Sequence, residues 1–110
     1  MPSYITFFSY TGASAKAMIE RPTDRSVAAR TLVESLGGKL ESFYWMTGKH
    51  DGFLIASLPS GATVAALSAA AASTGAFRDF ESHEVFNTQA QAQILQAAKK
   101  ATATYRPPTA

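Results

Sequence analysis

Short blocks of apolar residues alternate with polar breaks along the chain, and the spacing inside each block predicts its secondary structure. Residues 3–10 (SYITFFSY) are aromatic and β-branched on both faces, which favours a strand. A short helix is predicted over 13–20, with Met18 or Ile19 as its buried contact. It ends before Pro22, because the residue that precedes a proline avoids the helical region.

A longer amphipathic helix is predicted to start near Thr23 or Asp24. Its apolar stripe has the spacing i, i+3, i+4 and i+7 and consists of Ala29, Leu32, Val33 and Leu36. Gly37 and Gly38 end the helix, since glycine adopts the left-handed conformation of a helix cap without the steric cost of a Cβ atom.

The segment 38–59 (GKLESFYWMTGKHDGFLIASLP) predicts a β-hairpin around which the rest of the fold is organised. Its strands are expected at 39–47 and 52–58, with a turn at 48–51. The expected register pairs Met46 with Phe53, Tyr44 with Ile55, and Trp45 with Leu54. The pair that contains Tyr44 lies on one face and the pair that contains Trp45 on the other, so both faces are apolar.

The second half of the chain repeats the order of helix and strand. A helix rich in alanine is predicted over 61–74, and a charged strand over 77–86 has the composition of a sheet edge. A final helix is predicted over 88–101, with Thr88 as its N-cap. Residues 1–101 are therefore expected to form one domain, followed by a frayed basic and proline-containing tail at 102–110.

The order of the elements predicts an α+β fold: a ferredoxin-like βαββαβ sandwich with an extra C-terminal helix. Right-handed crossovers would place two helices on one sheet face and leave the other face bare. Because that face is apolar, we expect it to be covered by the same face of a second copy, as in dimeric α+β barrels, or in part by the terminal helix. The predicted partners are a homo-oligomer, a dimer or higher, and a small apolar or aromatic ligand between the sheets.

Composition excludes several classes of function. The chain of 110 residues has no cysteine, which excludes disulfides, thiolate metal sites and thiol chemistry. A net charge of +2 gives no support for nucleic-acid binding, and no apolar segment approaches the ~20 residues of a membrane span. The sequence lacks the pattern of a signal peptide and any phosphate-binding or metal-binding motif. We therefore predict a cytoplasmic protein with no cofactor and no metal.

His83 is the candidate for a general base. Asp79 and Glu81 share its strand face at i−4 and i−2, and a histidine beside a carboxylate such as Glu81 is an arrangement that can transfer protons. His83 is expected to be the only imidazole on this face, and a solvated edge strand explains the row as well. No catalytic residue is assigned beyond this candidate.

A ligand site is expected to use aromatic and turn residues. Tyr10, Tyr44 and Trp45 combine an apolar ring with a polar tip, as the residues of aromatic ligand sites do. His50 and Asp51 could present polar groups at the mouth of such a site. The alternative for Asp51 is turn chemistry, and the alternative for His50 is an exposed turn position without a second ligand nearby.

Three segments together resemble the GYD domain family: YITFFSYT, AARTLVESLGGKLESFYWMTGKHDGFLIASLPS and STGAFRDFESHEVF. The family takes its name from a Gly-Tyr-Asp motif in the turn between its second and third strands. This chain has Gly48 and Asp51 in that turn, and His50 in place of the tyrosine. The resemblance, over about residues 3–90, implies a small bacterial ferredoxin-like protein and no established activity.

Three functions remain open at this point. The resemblance favours an oligomeric domain without catalysis, either structural or ligand-binding. The alternative is a cofactor-free monooxygenase or isomerase of the dimeric α+β barrel type, acting on an aromatic substrate; it requires His83 in an enclosed pocket beside Tyr44 or Trp45. The third function is that of a regulator's sensor domain, because the hairpin also resembles the effector domains of leucine-responsive regulators. The chain supplies no helix-turn-helix, so such a domain would need a partner.

Overall fold

Four strands and four helices make up the part of the chain that the computed structural model describes, residues 1–109. The strands are β1 (Ser3–Tyr10), β2 (Lys39–Trp45), β3 (Gly52–Ser57) and β4 (Phe77–Val85). The helices are α1 (Gly12–Glu20), α2 (Arg25–Ser35), α3 (Gly61–Ser73) and α4 (Thr88–Thr102). The order of elements is the predicted one.

The strands form one antiparallel sheet in the order β2-β3-β1-β4. Helical crossovers follow β1 and β3, so this topology is the ferredoxin-like α+β arrangement that the sequence predicted. β4 lies at one edge of the sheet, which agrees with its charged composition, and β2 lies at the other.

The pairing of β2 with β3 corrects the predicted hairpin. Tyr44 pairs with Phe53, in the place expected for Met46, so the register is shifted by two residues. A shift of two leaves Tyr44 on its expected face, because side chains alternate with a period of two. A β-bulge between Leu40 and Ser42 adds one residue to β2. It turns Leu40 to the face opposite Tyr44, where Leu40 is buried.

The core lies between the sheet and helices α1, α2 and α3, which cover one face, hereafter the helix-covered face. Alternate residues of the central strands point into this layer and form one buried cluster with Val33 and Leu67: Tyr4, Phe8, Tyr10, Leu54 and Ala56. Burial of these side chains is the main contribution to stability. Met18, rather than Ile19, packs against the cluster from α1.

Local signals place the helix ends where the pattern predicted them, with one exception. Asp24 and Ser60 are the N-caps of α2 and α3, and their side chains accept backbone N–H groups of the first turn. Gly37, after α2, has a φ of 79°, which a residue with a Cβ adopts reluctantly. The exception is α4, which is capped by Asn87 rather than Thr88: the Asn87 side chain accepts the N–H of Ala90.

The opposite side of the sheet, hereafter the open face, is not covered by α4. No residue of α4 is buried, and the apolar side chains of Ile94 and Leu95 are exposed. The radius of gyration is 17.7 Å, against about 13 Å for a compact domain of this length. The alternative in which the terminal helix covers part of this face is therefore wrong within one chain, and α4 projects from the sheet.

Candidate functional site

The residues that the sequence singled out lie in three places. On the open face are Tyr44, His50, Glu81 and His83, and on the helix-covered face are Tyr10 and Trp45. Asp51 lies at the end of β1, between the two groups. The structure thus divides the predicted site residues into two candidate sites, one on each side of the sheet.

Asp51 fastens the hairpin to β1. Its carboxylate accepts the backbone N–H of Tyr10 at 2.8 Å. Its own N–H donates to the carbonyl of Phe8 at 2.9 Å, and its carbonyl accepts the N–H of Met46 at 2.9 Å. A carboxylate that accepts a backbone N–H forms a charge-assisted bond of the stronger kind. The side chain of Asp51 therefore bonds a neighbouring strand, whereas its carbonyl closes its own turn.

Four side chains on the open face form what we call the histidine–carboxylate cluster: His50, Asp79, Glu81 and His83. His50 Nδ1 lies 3.2 Å from a carboxylate oxygen of Asp79, and its Nε2 lies 3.9 Å from Glu81. His83 Nε2 lies 3.3 Å from the other oxygen of Glu81. The expectation that His83 would be the only imidazole on this face is wrong, because the turn folds His50 back over β4.

The ring of Phe7 packs against both imidazoles of the cluster. Its centroid lies 5.4 Å from that of His50 and 6.5 Å from that of His83. The two histidines differ in exposure: the side chain of His50 is 17% exposed and that of His83 is 55% exposed. His50 is therefore the better-positioned proton acceptor, held between two carboxylates on an aromatic ring.

The cluster does not have the geometry of a metal site. Within residues 1–109, no three histidine or acidic side chains are arranged so that they could hold a metal ion together. The two histidines instead share Glu81 as a bridge, and proton transfer or hydrogen bonding is the chemistry that this arrangement supports.

Tyr44 lies apart from the cluster. Its ring stacks on Phe53 at a centroid distance of 5.4 Å, and it belongs to the edge strand β2, whereas His83 belongs to β4 at the other edge. Within one chain, His83 therefore has neither the enclosed pocket nor the Tyr44 or Trp45 neighbour that the enzyme hypothesis requires.

A cavity of about 450 Å³ opens between the helices and the sheet, hereafter the helix-side cavity. Its floor is aromatic and consists of Phe8, Phe43, Phe77 and Phe80. Its walls come from three helices and include five alanines: Ala17, Ala28, Ala29, Ala70 and Ala71. The short side chains of alanine leave space between a helix and the sheet unfilled, and the alanine-rich α3 lines part of this cavity.

Tyr10 lines this cavity, stacked between Trp45 and Phe77 at centroid distances of 5.5 and 5.1 Å. Burial raises the pKa of the Tyr10 hydroxyl above its ordinary value, and the negative charge of Asp51 adds to the rise. The positive charge of Arg25 and its hydrogen bond to the hydroxyl lower the pKa without reversing this rise. The Tyr10 hydroxyl is therefore neutral near neutral pH and can donate a hydrogen bond.

The sequence reasoning missed Arg25, Ser14 and Thr74, the other polar side chains of the cavity. Arg25 did carry a signal. It is the first residue of α2, where a positive charge is unfavourable because that end of the helix dipole is itself positive. Ser14 and Thr74 carried no comparable signal.

The topology and the uncovered sheet face define the class of protein: a ferredoxin-like α+β domain. The model of the GYD domain family matches residues 4–95 of the 110, and the chain belongs to this family. The predicted resemblance is confirmed over slightly more of the chain than the sequence had suggested. No curated protein matches the sequence. None of the helices in residues 1–109 is long and apolar enough to cross a membrane.

Proposed function

We propose that this GYD domain works as a non-catalytic homo-oligomer in which the open faces of two copies pack together. The observation that supports the proposal is the composition of the open face. Its centre is apolar and consists of Ile5, Phe7, Phe53 and Ile55, none of which is fully buried within one chain. Its rim is polar, with the histidine–carboxylate cluster on the β4 side. An apolar centre within a polar rim is the usual anatomy of a protein interface.

The size of the face agrees with a weak or moderate self-association. Its four strands contain six to nine residues each. With a strand spacing of about 4.8 Å and a rise of about 3.3 Å per residue, the sheet measures about 19 by 25 Å. Two such faces would bury on the order of 1,000 Å², which is near the lower limit of a specific interface.

α4 supplies additional apolar surface for the same partner. Phe86, Ile94 and Leu95 are exposed within one chain and follow directly from β4, the edge strand of the open face. We propose that a second copy on the open face also covers these side chains. The space between the sheets is then either filled, which gives a structural role, or holds a small apolar or aromatic molecule beside the cluster. The cytoplasm remains the predicted location.

Light scattering on the purified protein at micromolar concentration tests the assembly. We expect a mass that is a multiple of 11.7 kDa. Ile55→Glu places a charge at the centre of the open face and should give a monomer, as should Tyr44→Lys at the exposed edge. Ile19→Glu is the matched control, because Ile19 is an exposed isoleucine on α1, on the other side of the sheet. A monomeric wild type would refute the proposal, and so would folded Ile55→Glu and Tyr44→Lys variants that keep the wild-type mass.

One observation favours a second candidate function, a cofactor-free enzyme that acts on an aromatic substrate. The Nδ1 of His50 lies against Asp79, and a carboxylate in this position orients an imidazole that acts as a base. A second copy on the open face would enclose this imidazole.

Deuterium exchange at an acidic C–H of an aryl ketone, followed by NMR, tests the isomerase form of this candidate. Wild type should exchange the proton, His50→Gln should lose the exchange, and Glu84→Gln should keep it. Wild-type exchange no faster than the buffer rate would contradict this candidate and leave the non-catalytic proposal in place.

A further inference from the structure

The helix-side cavity is separate from the open face and is not explained by self-association. It lies between the sheet and three helices, and its volume of about 450 Å³ is within the range of small-molecule sites. An apolar cavity of this size in a packed core costs stability, because the atoms that line it lose contacts. A ligand that fills it would recover those contacts.

The rim of the cavity is held in place by hydrogen bonds. The hydroxyl of Ser14 donates to the carbonyl of Ala76 at 2.9 Å, and the backbone N–H of Thr11 donates to the same carbonyl at 3.0 Å. These bonds attach α1 to the start of β4. One side of the cavity, the start of α1, is therefore attached directly to the sheet.

The polar groups of the cavity favour a ligand that accepts hydrogen bonds. The hydroxyls of Ser14 and Thr74 already donate to backbone carbonyls. Arg25 and Tyr10 are the other two polar groups, and Arg25 acts on the Tyr10 hydroxyl both through its charge and through a hydrogen bond. The remaining N–H groups of the guanidinium and the O–H of Tyr10 are available to a ligand. Among residues 1–109, no carboxylate lies within 4.0 Å of the Arg25 guanidinium. The site thus has a cationic donor without an anionic partner.

The positions of these two donors define the orientation of a ligand. Tyr10 is 8% exposed and lies on the floor, whereas Arg25 is exposed and lies at the opening. The rest of the floor is phenylalanine. A planar apolar body would stack on this floor, with its anionic group between Arg25 and the Tyr10 hydroxyl.

We propose that the helix-side cavity binds an aromatic carboxylic acid, with its carboxylate paired to Arg25 and hydrogen-bonded to Tyr10 and its ring on the phenylalanine floor. The chemical class follows from the lining: a guanidinium with no carboxylate partner among residues 1–109, beside a neutral phenol, selects an acid, and four phenylalanines select an aromatic body. This site is independent of the proposed oligomer, because the cavity faces away from the open face.

The experiment uses 2-naphthoate as the acid and 2-naphthamide as its neutral analogue, with the full chain. Isothermal titration measures both affinities, and the indole N–H signal of Trp45 in an NMR spectrum reports occupancy. Trp45 is the only tryptophan of the sequence and stacks on Tyr10. We expect 2-naphthoate to bind, to shift this signal, and to bind more tightly than the amide.

Two variants separate the charge of the site from its shape. Arg25→Gln should weaken the acid about tenfold, as the loss of a charged hydrogen bond does, and should leave the amide within about twofold. Arg30→Gln is the matched control, because Arg30 belongs to the same helix but does not line the cavity. Ala70→Leu fills the cavity and should weaken both probes at least tenfold in a chain that remains folded.

Several outcomes would overturn the proposal. These are a folded wild type that binds neither probe at millimolar concentration, equal losses in Arg25→Gln and Arg30→Gln, and unchanged binding in Ala70→Leu. Uptake of the probe only after dilution to the monomer would mean that a second copy occupies the cavity, and this would overturn the proposal as well.

Discussion

The hydrogen bond from the Tyr10 N–H to the Asp51 carboxylate attaches the hairpin turn to β1, and removing the carboxylate tests this attachment. Asp51→Ala removes the carboxylate that accepts the Tyr10 N–H at 2.8 Å. Tyr10 is buried, with 8% of its surface exposed, so its N–H would lose its partner. Hydrogen bonds to charged groups contribute about 1.5–3 kcal/mol, so we expect the variant to lose about 2 kcal/mol of unfolding free energy. The main-chain bonds of Asp51 to Phe8 and Met46 do not depend on the side chain and should persist.

Urea denaturation followed by circular dichroism measures this loss. With an m-value of about 1.5 kcal/mol per molar, the unfolding midpoint should fall by about 1.3 M at an unchanged slope. Asp51→Asn keeps an oxygen acceptor without the charge, so its loss should be about half as large. Glu84→Ala removes an exposed carboxylate of β4 that has no hydrogen bond or ion pair among the described residues, and it should stay within about 0.5 kcal/mol of wild type.

Two results would contradict the reasoning about Asp51. A loss in Asp51→Ala no larger than that in Glu84→Ala would mean that the bond to Tyr10 contributes nothing measurable. An Asp51→Asn variant as unstable as Asp51→Ala would mean that the acceptor is not the cause of the loss. Either result would mean that the Asp51 side chain does not stabilise the attachment of the hairpin to β1.

Three further predictions concern other positions. Gly52→Ala should destabilise the protein by about 1–3 kcal/mol in the same urea assay, because a Cβ there would lie 2.7 Å from the Phe8 ring; a gain in stability would contradict the packing at that point. Since the pKa of Tyr10 is raised on folding, unfolding free energy should fall as the pH rises above the unfolded value of about 10, and Tyr10→Phe should reduce that fall. Hydrogen bonds from Ser26 lower the pKa of Asp24, so its stabilising contribution should be present above its unfolded pKa and decline as the pH falls through the folded value; acid titration of Asp24→Ala should lack this component.

Local chemistry explains why the helices were predictable. The stripe of α2 packs against the core, with Val33 fully buried, because a period of 3.6 residues leaves one side of a helix apolar whatever it packs against. The caps at Asp24 and Ser60 are equally local, since each satisfies N–H groups of its own first turn. Elements whose stability depends on near neighbours in the sequence were therefore predicted closely.

The candidate sites depend on contacts between distant parts of the chain, and the sequence predicted them less well. His50 and Asp79 are 29 residues apart, and they meet because the turn that Asp51 fastens to β1 folds back over the open face. Arg25 and Tyr10 belong to different elements and share a cavity only because of how α2 lies on the sheet. The spacing along β4 predicted that Asp79, Glu81 and His83 share one face. It could not predict that His50, which belongs to the turn between β2 and β3, joins them.

The sequence by itself determined the order of elements, and with it the topology. A hairpin between two helical crossovers has few unknotted arrangements, and the ferredoxin-like sheet is the common one. Only the tertiary structure decided which sheet face the helices cover. Both faces of β1 and of the hairpin are apolar, so a pattern with a period of two cannot rank them. Contacts between the helices and the sheet, which join residues distant in the sequence, decided that choice, and they left one face open and one cavity unfilled.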